Sequence, residues 1–382
     1  MGIGALAVAR PALSAAADLV EGRLNGVHPQ PDIPVSDRAL ALHGTLRVAD
    51  LHSDSLLWGR DLLVRGTRGH LDLPRMREGN VALAVLAAAA KTSRHMTIER
   101  NHDRGDDIRL IAIARRWPPR TWRSLLARTL YMAERARSFA AASGGAFRLV
   151  QSREDLAAFL AARATEPRLA AAILSIEGAH ALEDDPANVE VVADAGFRMI
   201  SPSHFFDTAF GGSAHGVDKG GLTPAGREMV RRMEARGLIL DLAHASAAAI
   251  DDALAISTRP VVASHTGLRG VVDNQRNLSD AHLEGIAATG GVVGIGFWDT
   301  VTGGTDPASI ARSIAYAVER VGAEHVALGS DWDGAVAVPF DAAGIARLTE
   351  ALLDAGLDEP AIRAVMGENA LRVFAEVLPS AG

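Results

Sequence analysis

Three apolar runs, far apart in this chain, each finish in residues that can hold a metal ion. The first ends in Asp50-Leu51-His52-Ser53-Asp54, and the others end in Asp241-Leu242-Ala243-His244 and Val261-Val262-Ala263-Ser264-His265. Side chains along an extended strand alternate, so a ligand pair spaced as His52 and Asp54 are lies on one side of the chain. Strand ends that converge on one face, each carrying a ligand, are how a parallel β/α barrel builds a metal site. This pattern constrains the fold more tightly than any compositional figure.

Eight strand-like runs can be marked: 47–52, 81–88, 170–176, 198–203, 238–243, 261–264, 291–297 and 325–330. Helical patterns lie between them. Thr223-Pro224 is an N-cap and first-turn pair ahead of 227–236, and Ser279 caps a helix through Leu283 and Ile286. Ile310, Ile314, Ala317 and Val321 share one helical face. Strands alternating with helices predict a (β/α)8 barrel, an α/β fold of the TIM type. The run 81–88 is so rich in alanine that a buried helix is its alternative reading. Residues 89–169 are too long for one βα connection and read as an inserted helical section beside the barrel mouth. Residues 341–378 read as two or three closing helices. The expected organisation is an N-terminal segment over 1–40 and a barrel over 41–382.

The first residues admit two readings. Residues 3–20 are apolar but interrupted by Arg10, Pro11 and Asp18. They form either a degenerate signal or anchor, or an amphipathic helix lying on the domain. Residues 28–34, rich in proline, read as an extended linker. Membrane association could come only through this segment. The chain has no cysteine, which excludes disulfides, thiolate ligands and a cysteine nucleophile, and fits cytoplasm and periplasm alike. A net charge of −7 argues against nucleic acid as a partner.

Further strand ends add Glu177 in Ser175-Ile176-Glu177-Gly178, His204 in Ser201-Pro202-Ser203-His204, and Asp331 in Gly329-Ser330-Asp331-Trp332-Asp333-Gly334. A single histidine after a strand is usually a hydrogen-bonded structural residue. Six candidates at the same end of successive strands are hard to explain that way. His70, His95, His102, His180, His215 and His282 fall in loops or helices and carry no expected chemistry. Nitrogen and oxygen donors without thiolate suit zinc, manganese or iron. Five ligands exceed the three that one catalytic zinc takes. Two ions sharing Glu177 use them all: His52, Asp54 and Glu177 on one, Glu177, His244 and His265 on the other. A water between two ions ~3.5–4 Å apart becomes a strong nucleophile at neutral pH. The only lysines, Lys91 and Lys219, lie in loops, so a glutamate is a better bridge than a carboxylated lysine.

These motifs, with Gly221-Leu222-Thr223-Pro224, Arg276-Asn277-Leu278 and the closing Gly367-Glu368-Asn369-Ala370-Leu371-Arg372-Val373-Phe374, resemble the renal or membrane dipeptidase family, metallopeptidases of the amidohydrolase superfamily. The match runs from about His52 to about Phe374. The resemblance implies a barrel with two Zn2+ per chain that cleaves small dipeptides. It implies that His204 binds the substrate carbonyl and steadies the oxyanion. Arg276 would hold the C-terminal carboxylate, and Asp331 would pass protons between the attacking water and the leaving amine. These roles suit a bidentate guanidinium, an imidazole donor and a carboxylate. A homodimer is compatible with the resemblance, but without cysteine it cannot carry the family's intersubunit disulfide. The aromatic stretch 205–210 and the arginine-rich insertion depart from the pattern and are expected to line or cover the pocket.

Three rival readings have discriminating features. An acyl-amino-acid or lactam hydrolase on the same barrel would not need Arg276 if its substrate lacked a free carboxylate. A barrel that only binds peptides would have lost a ligand, and none is missing. A sugar-phosphate enzyme would need a glycine-rich phosphate loop late in the barrel, for which Gly303-Gly304 beside Asp299 and Asp306 is a poor candidate.

Overall fold

In the computed structural model residues 3–31 and 34–381 are described, with side chains from residue 13 onward. Nine strands form: β1 (Val48–Ser53), β2 (Val81–Ala89), β3 (Phe147–Leu149), β4 (Ala170–Glu177), β5 (Phe197–Ile200), β6 (Ile239–Leu240), β7 (Val262–Thr266), β8 (Val292–Ile295) and β9 (Val326–Leu328). Eight run in the order β6-β5-β4-β2-β1-β9-β8-β7, every pairing parallel. A parallel bridge between Asp241 and Val262, with Leu242 N donating to Val262 O at 2.7 Å, joins the two ends of this path. The architecture is the (β/α)8 barrel that the sequence pattern predicts.

Every residue of β1, β2, β4 and β7 is buried, as expected of parallel strands covered on both faces. The alanine-rich run is strand, not helix: β2 pairs with β4 over seven registered positions, from Leu83–Ala171 to Ala89–Glu177. Inward-facing Leu51, Leu83, Val85, Ile173, Met199 and Ile239 form the barrel interior. Its amino-terminal end is closed by the last helix, Asn369–Val377, through Leu371, Val373, Phe374 and Val377. Gly367 just before that helix packs so close that a Cβ would meet Arg47 O at 1.9 Å, so only glycine fits. The closing helices Ala346–Asp354, Glu359–Arg363 and Asn369–Val377 match the expectation of two or three.

The inserted section is not purely helical. Helices Asp107–Ala114, Leu125–Ala142 and Arg153–Thr165 are joined by β3, which extends the sheet on β4. Three residues are too few to show a period. Contrary to expectation, the arginines of this section do not line the cavity at the carboxyl-terminal ends of the strands. Arg128 donates to Thr121 O and pairs with Asp106, and Arg135 donates to Arg60 O.

A helix spans Ile3–Leu24, and no described helix is long and apolar enough to cross a membrane. Residues 32 and 33 of the expected linker lie outside the described residues. The helix is fastened by charge. Glu21, fully buried, pairs with Arg60 at 2.5 Å and Arg115 at 3.2 Å, and Asp18 pairs with Arg115 and Arg68. Arg60 also pairs with Asp333, just beyond β9. Asn25 Oδ1 accepts from Ala335 N at 2.8 Å, so this segment is wired directly to the loop that carries Asp331.

Candidate metal centre

The carboxyl-terminal ends of the strands gather the candidates into one buried cluster. His52 lies in β1 with Asp54 just beyond it, Glu177 ends β4, and His265 lies in β7. His204, His244 and Asp331 lie in the loops after β5, β6 and β9. Glu177 is at the centre. Its Oε1 is 3.2 Å from His244 Nε2, 3.3 Å from His265 Nε2 and 3.5 Å from His52 Nε2. Its Oε2 is 3.3 Å from His204 Nε2. Asp331 Oδ1 lies 3.9 Å from His52 Nε2. Donor atoms of His52, Asp54 and Glu177 fall within 4.8 Å of one another, as do those of Glu177, His204 and His244, and those of His52, His265 and Asp331.

The local backbone is shaped for this convergence. His244 and Asp331 adopt left-handed φ values of 62° and 58°, a region that non-glycine residues enter at a cost and mostly at functional sites. The supports are aspartates sharing serines between strands. Asp241 accepts from Ser264 Oγ at 2.6 Å, and Ser264 Oγ meets His265 Nδ1 at 2.8 Å. Asp50 accepts from Ser330 N at 2.7 Å and Ser330 Oγ at 2.8 Å. Such outer bonds orient ligating imidazoles.

The donor set fits divalent cations. Both ring nitrogens of His52, Oδ1 of Asp54 and Nδ1 of His244 are buried without hydrogen-bond partners. Buried polar atoms are otherwise almost always bonded. Burial first, then Arg276, pushes the His52 pKa down to about 3, and burial holds His204, His244 and His265 well below the usual imidazole range. Neutral imidazole is the ligating form. Burial first, then Asp333, pushes Asp54 up to about 8. Burial and the carboxylates of Asp54 and Asp331 push Glu177 well up. Crowded carboxylates of this kind ionise together only when cations balance them.

Arg276 is buried, its guanidinium over the Trp298 ring at 5.5 Å. Among the described residues the guanidinium's hydrogen-bond partners are His265 O at 2.5 Å and His244 Nε2 at 3.4 Å. Burial pushes its pKa down to about 10, against the pull of Asp331 and Glu177. Neither lysine reaches Glu177's cluster by pairing: Lys91 pairs with Asp103, and Lys219 donates to Gln275 and Glu99 O. All eight residues singled out from the sequence therefore come together at one end of the barrel.

Two histidines assigned no chemistry are also drawn in. His215 lines the same cavity, stacked on Phe205 with ring centroids 4.7 Å apart, its Nδ1 2.7 Å from Ile98 O and its Nε2 unpartnered. His180 is buried beside Phe206, and burial pushes its pKa down to about 3. His215 is brought in by Asp207, whose carboxylate gathers the amides of Ser213, Val217 and Asp218 and folds that loop back over the barrel mouth. Of the aromatic stretch, Phe205 lines the cavity, whereas Phe206 and Phe210 are fully buried.

Known proteins resemble this chain in sequence and in fold. The membrane dipeptidase family, peptidase family M19, matches residues 36–381. Dipeptidase verJ of Clonostachys rogersoniana is 31% identical over 214 residues, which are 54% of this chain and 55% of that one; the chain thus aligns with about half of that relative's length. Dipeptidase AC, a solved metallopeptidase of family M19, is 26% identical with a TM-score of 0.68, over 88% of this chain and 100% of that one. A Rhodobacter sphaeroides metallopeptidase, solved with a phosphinate mimic of the dipeptide L-Ala-D-Ala, is 25% identical with a TM-score of 0.67, over 87% of this chain and 99% of that one. The chain belongs to the membrane dipeptidase family, the metallodipeptidases of peptidase family M19.

Proposed function

We propose that this protein is a zinc-dependent dipeptidase that hydrolyses dipeptides with a free C-terminal carboxylate. The observation that carries the reading is Glu177 at 3.2–3.5 Å from four imidazole nitrogens in a buried cluster. In this reading His52, Asp54 and Glu177 hold one ion, and Glu177, His244 and His265 hold a second. Two zinc ions held there would supply Lewis acidity and a water ionised at neutral pH. His204 donates Nε2–H to the carbonyl oxygen as it becomes an oxyanion. Arg276 holds the terminal carboxylate, and the Trp298 ring keeps its guanidinium plane fixed. Asp331 accepts the proton of the attacking water and returns it to the leaving amine. The dipeptide mimic bound by the Rhodobacter sphaeroides relative supports a substrate of this size.

The test compares a dipeptide with its C-terminal amide. Losing a charge-assisted pair in a dry pocket costs ~2–5 kcal/mol, so the amide should be turned over at least about 30-fold less efficiently. Equal kcat/KM for the two would remove Arg276 from substrate binding. Metal content per chain, measured on the same preparation, is expected to be about two ions.

A further inference from the structure

The helix Ile3–Leu24 carries its polarity inside out. A helix on a protein surface normally turns its apolar stripe inward and its charges outward. Here Glu21 is fully buried on the inward face and held by arginines, while Leu13, Val20 and Leu24 are 41–50% exposed. Their spacing, with Ala16 and Ala17, puts them on one face of the helix, and that face lines the catalytic cavity. Across from it the helix Asp107–Ala114 and the loop before it present Leu110, 53% exposed, and Met96, 39% exposed. Among the described residues ten large apolar side chains are exposed, and half of them line this one cavity. Exposed apolar surface concentrated in one place marks a binding surface.

The cavity measures about 820 Å³, and Asp54, Glu177, His204, Arg276 and Asp331 also line it. A dipeptide of two small residues has only ~10 non-hydrogen atoms, whereas cavities of ~300–1,000 Å³ enclose drug-sized ligands. The surplus volume is bounded largely by the apolar stripe. It is continuous with the metal centre, so a side chain of a molecule bound there can reach it. The helix lies outside residues 36–381, the part shared with the family.

We infer that the helix Ile3–Leu24 is a specificity-determining wall of the substrate pocket, and that the preferred substrates are dipeptides with a large apolar side chain of leucine or phenylalanine size. This rests on the dipeptidase reading and extends it to a substrate class. The helix is fixed to Asp333 through Arg60, so the wall is rigid against the loop that carries Asp331.

The experiment uses the full metal-loaded chain and two dipeptide series, Ala-X and X-Ala, with X as Gly, Ala, Leu and Phe. The value of kcat/KM should rise at least about tenfold from Gly to Phe in one series, a usual discrimination for added methylenes in an apolar pocket. Val20→Ser and Leu110→Ser, made separately on opposite walls at exposed positions, should each lower the Phe/Gly ratio about tenfold. Turnover with flat series at both positions overturns the inference and leaves the dipeptidase reading standing. No turnover of any member overturns both. A Phe preference that Val20→Ser leaves unchanged overturns the wall assignment, whatever Leu110→Ser does. So does binding to phosphatidylcholine vesicles that Leu13→Ser abolishes while the ratio is unchanged, because the stripe then serves a lipid surface.

Discussion

His43 and His52 are both buried, only nine residues apart, and the fold treats them in opposite ways. His43 ends the helix Asp37–His43 beside the amino-terminal end of β2. Its Nε2 donates to Gly79 O at 3.0 Å and its Nδ1 accepts from Thr349 Oγ1 at 2.8 Å. His52, at the carboxyl-terminal end of β1, has no hydrogen-bond partner on either ring nitrogen. The contrast extends to the two ends of the barrel. One end is closed by apolar side chains of the helix Asn369–Val377. The other gathers unpartnered donors, raised carboxylate pKa values and left-handed backbone at His244 and Asp331. An end sealed by packed apolar side chains serves stability, and an end with groups left open serves a ligand.

The largest expected effect breaks the open end. Glu177→Gln keeps the shape but removes the charge that all four imidazoles face. Metal bound per chain should fall, and dipeptide turnover should drop to background, because one carboxylate serves both proposed ions. Elemental analysis with activity on the same sample decides this. Unchanged metal content would end the bridging assignment. Asp331→Asn should come next, with kcat reduced by ~10²–10⁴ while metal content stays near wild type. A kcat loss under about threefold with metal retained would mean that Asp331 only shapes its turn, where asparagine caps nearly as well as aspartate.

The open end was also the end legible in the sequence, and for one reason. Ligands of a barrel enzyme sit where strands stop, so an apolar run followed by His, Asp or Glu marks both fold and site. His52, Asp54, Glu177, His204, His244, His265 and Asp331 were all readable in that way. Arg276 was readable only through the family resemblance. The short strands blurred the boundaries: the run 238–243 pairs as strand only over Ile239–Leu240. His215 was hidden because its approach depends on how Asp207 folds a loop, a contact with no periodic trace. The burial of Glu21 was hidden too, because its arginine partners come from residues 60–115.

The closed end can be broken without touching the chemistry. Phe374 is fully buried where the last helix seals the barrel interior. Phe374→Ala should destabilise by ~3–5 kcal/mol, the usual cost of such a truncation in a packed core. The metal content and kcat of the molecules that remain folded should stay near wild type. Denaturant melts beside active-site titration read the two effects separately. A selective loss of kcat with unchanged stability would show that the two ends are not independent.

The smallest effect sharpens the comparison at His43 itself. Burial lowers its pKa, against the pull of the Gly79 carbonyl, so the folded protein keeps it neutral below the ordinary value of 6.5. Protonation would also turn Nδ1 from acceptor to donor against Thr349. In the unfolded chain the same imidazole takes up a proton as pH falls through about 6.5. The unfolded state then binds more protons than the folded one, so stability falls as pH drops, by at most about 1.4 kcal/mol per pH unit for one group. Above pH 6.5 both states are neutral and the contribution is fully present. Unfolding free energies at pH 7.5 and 5.5, compared between wild type and His43→Gln, isolate this term from the other histidines. The variant should lose less stability between the two pH values than wild type. An identical loss in both proteins would mean that His43 titrates alike in folded and unfolded chains, and that its paired ring nitrogens do not hold it neutral.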